Sequence, residues 1–203
     1  MIPDKSFAPS HRAGRPGTDN PDELFDLVDL DDQVIGQVRR GEAHRNPALI
    51  HRSVQILVFT SDHRLLLQRR AATKDLFPGF YCASASGHVA SGEDYLTTAQ
   101  RELSEELGIT APLAYVGKAL VRSEPETEIT ALYVAQSDGP YQFHPVETAG
   151  GALFTLNEAQ EGMRSGAVPA TPALRVAIAE LARRVGESAA TFDTFLAGIG
   201  CLG

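Results

Sequence analysis

The sequence predicts a mixed α/β sandwich, and three features of the chain support that fold class. Continuous apolar runs at 53–59 and 65–70 have the length and composition of buried strands. Residues 94–107 contain neither Gly nor Pro and predict one internal helix between strands. A second long helix follows a Thr-Pro start at 171–172, where Pro occupies the favoured first helical position. Strands on both sides of an internal helix, followed by a C-terminal helix, indicate a layered α/β domain.

The remaining elements follow in chain order. Residues 1–20 are rich in Pro, Gly, Ser and charge, which predicts a flexible N-terminal arm. An Asp-rich turn between two apolar stretches predicts a β-hairpin at 24–40, and the connection at 41–50 is interrupted by Pro47. We expect one domain over residues 21–185 and a separate C-terminal tail over 186–203. Further strands are predicted at 111–122, 128–136 and 151–156, a short helix at 157–163, and loops at 71–81 and 140–151.

Composition and charge narrow the possible function classes. The chain has 203 residues, of which 43% are apolar and 22% charged, as in soluble globular domains. Its net charge of −8 and the lack of a basic cluster argue against a nucleic acid polymer as partner. No apolar run approaches a membrane span and the first residues do not resemble a signal peptide, so we expect a cytoplasmic protein without a membrane partner. Cys82 and Cys201 lack metal-ligand spacing and are expected to be free thiols.

The internal helix carries signals for both of its ends and for its buried face. Ser91 followed by Asp94 resembles a capping-box start, and Gly108 is a natural stop. Apolar residues recur inside the helix at spacings of three and four, which predicts a single apolar stripe facing the core. The residues of this stripe are Leu96, Ala99, Leu103 and Leu107.

Three glutamates lie off that stripe. Glu102 and Glu106 are four residues apart and Glu105 is three residues from Glu102, so the three carboxylates share one patch of the helix surface. Like charges at this spacing repel, and a hard divalent cation with oxygen ligands relieves the repulsion while binding substrate phosphates. We therefore expect Mg²⁺ or Mn²⁺ at this patch. Arg101, four residues before Glu105, is placed to orient that carboxylate.

The spacing around these glutamates matches a known motif. Gly87, Glu93 and the run at 101–109 occupy every fixed position of the Nudix box, G-x5-E-x7-R-E-U-x-E-E-x-G-U, in which U is a bulky aliphatic residue. The chain therefore resembles the Nudix family over about residues 24–185. The resemblance implies an α/β/α sandwich whose mixed sheet lies between helices, with the box forming a loop–helix–loop. It also implies metal-dependent hydrolysis of a diphosphate, with Glu102, Glu105 and Glu106 as metal ligands.

Flanking residues make the chain similar to the type I isopentenyl-diphosphate isomerases, which share the Nudix fold. The segment at 68–89 looks like theirs, and equally like that of related bacterial Nudix hydrolases. The seven-residue spacing of His44 and His51 matches two metal-ligand histidines of the isomerases. The resemblance implies a second metal site, suited to Mn²⁺ or Zn²⁺, at His44, His51, His88, Glu126 and Glu128. It also implies diphosphate binding by Arg70 and Lys74, and Arg69 is a neighbouring candidate.

Two departures from the isomerases favour a hydrolase. The isomerases carry a catalytic Cys immediately before Gly-His, whereas this chain has Ser86 there and Cys82 four residues earlier. A serine hydroxyl without an adjacent base is a poor proton donor or acceptor for an alkene. The isomerases also have a degraded Nudix box, and this box is intact. An isomerase using Ser86 or Cys82 stays as one alternative, and a non-catalytic binding module of the same fold as another.

The sequence thus predicts a metal-dependent hydrolase of a small-molecule diphosphate. The preferred general base is Glu105, the box geometry is held by Glu93 and Arg101, and the box glycines allow tight turns at its two ends. The expected substrate is a nucleoside diphosphate derivative or a related organic diphosphate, acted on by a monomer or homodimer. Many Nudix enzymes keep a further carboxylate near the position of Glu147, but here we expect an exposed loop acid.

Overall fold

An eight-stranded mixed sheet forms the centre of the protein, and the mixed α/β sandwich expected from the sequence is confirmed. The computed structural model describes residues 5–7, 20–74, 76–144 and 146–187. The strands are β1 Lys5–Phe7, β2 Leu24–Val28, β3 Val34–Arg39, β4 Ile50–Phe59, β5 Leu65–Arg70, β6 Tyr81–Cys82, β7 Ala85–His88, β8 Ala114–Arg122, β9 Thr127–Gln136 and β10 Thr148–Phe154. The helices are α1 Arg40–Ala43, α2 Tyr95–Leu107, α3 Leu156–Ser165 and α4 Pro172–Glu187.

Strand β4 is the axis of the sheet. The strand order is β1-β10-β5-β4-β9-β8, with β6 paired to β5 and β7 paired to β4, while β2 and β3 form a separate hairpin. β4 runs parallel to β9 and antiparallel to β5 and β7. Its pairing with β7 at one end and β5 at the other places the start of the box directly beside the centre of the sheet.

The two faces of β4 pack against different helices. Leu57 and Phe59 point into a cluster formed with α3 and α4, and Ile56 and Val58 point into a cluster formed with α2. Because successive side chains of a strand alternate between faces, a strand buried on both faces has a continuous apolar sequence. The run at 53–59 has this composition for that reason.

Helix α2 begins and ends close to the predicted residues, but with a different cap. Asp94 is the N-cap and accepts a hydrogen bond from Thr97 N at 2.9 Å, whereas Ser91 Oγ donates to Asp26 on β2 at 2.6 Å. The predicted start at Ser91 is therefore wrong, because Ser91 is engaged by the hairpin. Gly108 ends the helix in the left-handed conformation, with φ 67°. This conformation is easily reached only without a Cβ, so the predicted stop is confirmed.

The predicted apolar stripe of α2 is correct for three of its four residues. Ala99, Leu103 and Leu107 are buried, but Leu96 in the first turn is 44% exposed. Thr98 is fully buried instead, because its hydroxyl donates to Glu93 at 2.8 Å. At the start of α2, the hydrogen bond from Thr98 to Glu93 therefore takes the place of the apolar contact expected from Leu96.

Elements near the termini differ from the prediction. Strand β1 lies within the stretch interpreted as a flexible arm and pairs with β10. Helix α1 occupies part of the predicted connection at 41–50. The rest of the arm and nearly all of the predicted tail, including Cys201, lie outside the described residues. None of the helices in the described ranges is long and apolar enough to span a membrane.

A charged network holds the turn of the β2–β3 hairpin against the sheet. Arg52 Nε on β4 donates to Asp32 Oδ1 at 2.6 Å, and Lys118 Nζ on β8 contacts the other oxygen. The Tyr95 hydroxyl at the start of α2 donates to Asp32 Oδ1 at 3.0 Å. One carboxylate in the turn therefore joins the hairpin to β4, β8 and α2.

Candidate active site

Arg101 is the centre of the box. Its Nη1 lies 2.7 Å from Glu102 and 3.1 Å from Glu105, and its Nη2 lies 3.2 Å from Glu93. The expected pairing of Arg101 with Glu105 is confirmed. One guanidinium therefore spans three carboxylates and ties Glu93, which precedes the helix, to the helix itself.

Glu106 is held by a different set of donors, which lie on the sheet. Its Oε2 accepts from Gln68 Nε2 on β5 at 2.9 Å and from the Ser86 amide on β7 at 3.1 Å. The second hydrogen of the Gln68 amide goes to the Ser84 carbonyl at 2.6 Å. Gln68 thus positions Glu106, a role that no local sequence signal indicates.

Burial raises the pKa values of Glu102 and Glu106. The pKa of Glu102 rises to about 7 because of burial, although Arg101 opposes the shift. The pKa of Glu106 rises well above its ordinary value because of burial and because of the charges of Glu102 and Glu147. Glu105 is 53% exposed at its side chain. Carboxylates crowded and buried in this way fit a divalent cation, since its charge would favour their ionised forms.

Gly87 has a different role from the predicted one. It lies within β7, and a Cβ at this position would overlap the carboxyl group and Cγ of Glu102. The prediction that Gly87 permits a tight turn is therefore wrong. The residue leaves space in which the Glu102 carboxylate lies against the strand.

The predicted phosphate-binding cations surround the same edge of the box. Arg70 Nε donates to Leu76 O at 3.0 Å and so supports the loop that carries Lys74. Lys74 Nζ lies 4.0 Å from Glu147 Oε2, which corrects the expectation that Glu147 is an exposed loop acid. Arg69 is exposed and donates to the Gly79 carbonyl at 3.2 Å. The fold therefore brings Arg70, Lys74 and Glu147 to one rim.

The histidines and glutamates expected to form a second site also come together. One ligand atom from each of His44, His51, His88 and Glu126 lies within 4.8 Å of the others. Glu128 Oε1 is 3.2 Å from His88 Nε2 and 3.8 Å from His51 Nε2. Both glutamates therefore face the histidines, at the start of β9.

Separate elements supply the members of this His/Glu cluster. His44 caps the C-terminal end of α1, His51 lies on β4 and His88 on β7. The Phe25 ring on β2 stacks on His51 and His88, with centroids 5.1 and 5.0 Å away. Arg40 Nη1 lies 3.2 Å from His88 Nδ1. Since Arg is always a donor, His88 Nδ1 is the acceptor in this contact. Phe25 and Arg40 were not identified from the sequence, because both contacts are tertiary.

The chemistry of the His/Glu cluster suits a metal ion. Within the described part of the chain, His44 Nε2, His51 Nε2 and Glu126 Oε2 are buried and make no hydrogen bond, although His44 Nε2 and Glu126 Oε2 lie 3.3 Å apart. Burial lowers the pKa of His44 to about 3 and of His51 to about 4, so both rings are neutral. Neutral imidazoles and a carboxylate form a donor set for Mn²⁺ or Zn²⁺. Buried polar atoms without partners cost stability, which metal coordination would recover.

The pKa values of the two cluster glutamates move in opposite directions. Burial and the charge of Glu128 raise the pKa of Glu126 to about 7. Burial also opposes ionisation of Glu128, but the hydrogen bond from His88 outweighs it and lowers the pKa to about 2. Without a metal, Glu128 therefore holds the negative charge of the pair.

Neither candidate isomerase residue has an activated side chain. Burial and the nearby Glu106 carboxylate raise the pKa of the Cys82 thiol to about 12, and its sulfur lies 3.7 Å from the Gln68 carbonyl oxygen. Ser86 uses its backbone amide to bind Glu106. A thiol with so high a pKa is a poor nucleophile and a poor acid.

Comparisons with known proteins identify the family of this chain. The model of the NUDIX domain family matches residues 49–174. An isopentenyl-diphosphate Delta-isomerase from Serratia proteamaculans is 38% identical over 131 residues, covering 62% of this chain and 73% of the relative. An uncharacterised Nudix hydrolase from Yersinia pestis is 40% identical over 126 residues, covering 62% of this chain and 69% of the relative. A crystal structure from Deinococcus radiodurans superposes with a TM-score of 0.67 at 28% identity, covering 80% of this chain and 98% of that one. One of these relatives is named as an isomerase and the other as a hydrolase. The similarity alone therefore does not decide between the two reactions, and the residues of the site have to be considered.

Proposed function

Because the chain belongs to the Nudix family, we propose that it hydrolyses a diphosphate linkage in a nucleoside diphosphate derivative or a related organic diphosphate. The cofactor is Mg²⁺ or Mn²⁺, bound by Glu102, Glu105 and Glu106. The observation that carries the proposal is the complete carboxylate patch, with Glu106 fixed by Gln68 and Ser86 and Glu102 fixed by Arg101.

Glu102, Glu105 and Glu106 would hold the divalent cation, which would lower the pKa of a bound water and neutralise phosphate oxygens. The residues of the chain supply position and charge. Glu105 is the most exposed of the three glutamates, so water reaches the carboxylate that Arg101 orients, and Glu105 would accept the proton as general base. Arg70 and Lys74 stand at the rim and neutralise the diphosphate, while Glu147 holds Lys74 in place.

The His/Glu cluster is proposed as a second metal centre beside the first. It consists of His44, His51, His88, Glu126 and Glu128, and its unpartnered nitrogens support this assignment. The cluster is also the observation that favours the second candidate function, a diphosphate isomerase, because the isomerase resemblance implied it. Ser86 and the high pKa of Cys82 argue against that reaction.

The test is phosphate and nucleotide release across a panel of diphosphates, with Mg²⁺ and with Mn²⁺. Glu106→Gln should lower metal-dependent release by about 100-fold or more, because the loss of a metal ligand disables water activation. Glu161→Gln, on the exposed surface of α3, is the matched control and should leave the rate unchanged.

Two other outcomes would contradict the proposal. Conversion of isopentenyl diphosphate to its isomer, without phosphate release from any compound, would establish the isomerase. Tight binding without either reaction would establish a non-catalytic binding module.

A further inference from the structure

The β4–β7 ladder brings together two polar residues that the catalytic proposal does not use for chemistry. Gln55 on β4 is paired with Ser86 on β7. The Ser86 amide donates to Glu106 rather than to β4, so this is a non-hydrogen-bonded pair. Directly opposed side chains point to the same face of a sheet, and they approach most closely in pairs of this kind. The Gln55 amide and the Ser86 hydroxyl therefore stand side by side.

The pair lies between the two proposed metal centres. Ser53 and His88 form the next pair on the same face, two residues along each strand. Two residues of a strand span about 7 Å, so the His/Glu cluster begins at that distance on one side. The Glu106 carboxylate, hydrogen-bonded to the Ser86 amide, borders the pair on the other side. A diphosphate bound at Glu106 would therefore border Ser86, and a group attached to it would reach Gln55 only by extending over the face of the sheet that Gln55 and Ser86 share.

Two oxygens of this pair, Gln55 Oε1 and Ser86 Oγ, make no hydrogen bond to the described residues. Gln55 is only 6% exposed, and its Oε1 has no hydrogen bond to any residue in the described ranges. On the neighbouring strand, Thr130 is 1% exposed and its Oγ1 is likewise unpartnered among those residues. Ser86 is partly exposed, and in that same portion of the chain its hydroxyl makes no hydrogen bond. Buried polar groups are normally paired, and unpaired ones beside a substrate site indicate that a ligand supplies the partner.

We propose that Gln55 and Ser86 determine substrate specificity by binding a hydroxyl- or amide-bearing group attached to the diphosphate. This inference rests on the proposed function of the box. An amide and a hydroxyl together offer donors and acceptors, so they match a sugar or a nucleoside and do not match an isoprenyl chain. A site built to hydrogen-bond its substrate rejects an analogue that lacks the group, because the polar atoms of the site stay unpaired.

The experiment compares kcat/KM for ADP, ADP-ribose and UDP-glucose with kcat/KM for geranyl diphosphate. ADP and geranyl diphosphate are both terminal diphosphates, so their ratio isolates the organic group. The wild type should favour the hydroxylated compounds by about 100-fold or more. Gln55→Leu and Ser86→Ala should each reduce that ratio by about 10-fold, mainly through KM for the hydroxylated compounds. Gln100→Leu, at an exposed position of α2, is the matched control.

Binding measurements keep this inference separate from the proposed function. The same compounds are titrated calorimetrically with Mg²⁺ into Glu106→Gln protein, with and without Ser86→Ala, which removes a single oxygen from a partly exposed residue. A preference for the hydroxylated compounds that falls with Ser86→Ala supports the inference even when no compound is hydrolysed. A wild-type preference for geranyl diphosphate overturns it. A preference that both substitutions leave unchanged in kinetics, and that Ser86→Ala leaves unchanged in binding, also overturns it.

Discussion

Glu102→Gln is expected to stabilise the metal-free protein at alkaline pH. The Glu102 side chain is 13% exposed, and its burial raises the pKa from 4.5 to about 7 even though Arg101 opposes the shift. This difference corresponds to about 3 kcal/mol, the free energy that ionising Glu102 removes from the folded state. Glutamine keeps the shape of the side chain and cannot ionise, so the variant avoids that loss.

The pH dependence gives the prediction its sign. A raised pKa means that the folded protein binds the Glu102 proton more tightly than the unfolded chain does. The stability of the wild type therefore falls as the pH rises from 4.5 through about 7, and the loss is complete above that range. The advantage of the variant should be absent near pH 4 and should approach about 3 kcal/mol near pH 8.

The assay is urea unfolding of chelator-treated protein at both pH values. Glu105→Gln is the matched control, because Glu105 is 53% exposed and its substitution removes little burial. An equal gain at both pH values, or a less stable variant at alkaline pH, would refute the assignment of Glu102 as a buried ionised carboxylate. With saturating Mg²⁺ the order should reverse, because only the wild type retains the full set of ligands.

Three further predictions follow from other contacts. Gly87→Ala should lower turnover by about 100-fold without unfolding the protein, because the new Cβ would displace the Glu102 carboxylate. Steady-state kinetics measures the turnover, and circular dichroism shows whether the variant is folded. Zn²⁺ at about 100 times its Kd, added to protein already saturated with Mg²⁺, should add about 2.7 kcal/mol to the free energy of unfolding, and His51→Gln should abolish that gain in thermal denaturation. Asp32→Asn should cost about 1–2 kcal/mol at neutral pH, because Arg52 and Lys118 lose their charged partner. Burial opposes ionisation of Asp32, but those hydrogen bonds outweigh burial and lower its pKa below 3.8, so the deficit in urea unfolding should shrink as the pH falls below 3.8 and vanish below the folded-state pKa.

Local signals were sufficient for most of the fold and for the carboxylate patch. Helix α2 follows the stretch free of Gly and Pro, and Glu102, Glu105 and Glu106 converge because helix spacing alone places them together. The end at Gly108 was also predictable, since a left-handed residue is a property of the backbone. Chemistry that depends on helical spacing is therefore readable from sequence.

Other parts of the site depend on contacts between distant segments. Gln68 binds Glu106 across 38 residues, and its amide carries no pattern that marks it as a positioning group. The start of α2 was misplaced for the same reason, because Ser91 is engaged by Asp26 at a separation of 65 residues. The function of Gly87 was also missed, since close approach by Glu102 is a property of packing and not of a turn. In each of these cases a contact between distant segments, and not the local sequence pattern, determines what the residue does.

Strand β7 connects the two proposed centres. Ser86, Gly87 and His88 are consecutive, and each serves a different part of the site: the Ser86 amide binds Glu106, Gly87 makes room for Glu102, and His88 contacts Glu128. Because β7 is hydrogen-bonded to β4 in the core, a backbone shift of this strand would move both centres together. The separation of the centres is therefore set by the sheet, and a substrate that contacts both must match the length of two strand residues. Binding at one centre should consequently affect the other through β7, without any larger rearrangement of the domain.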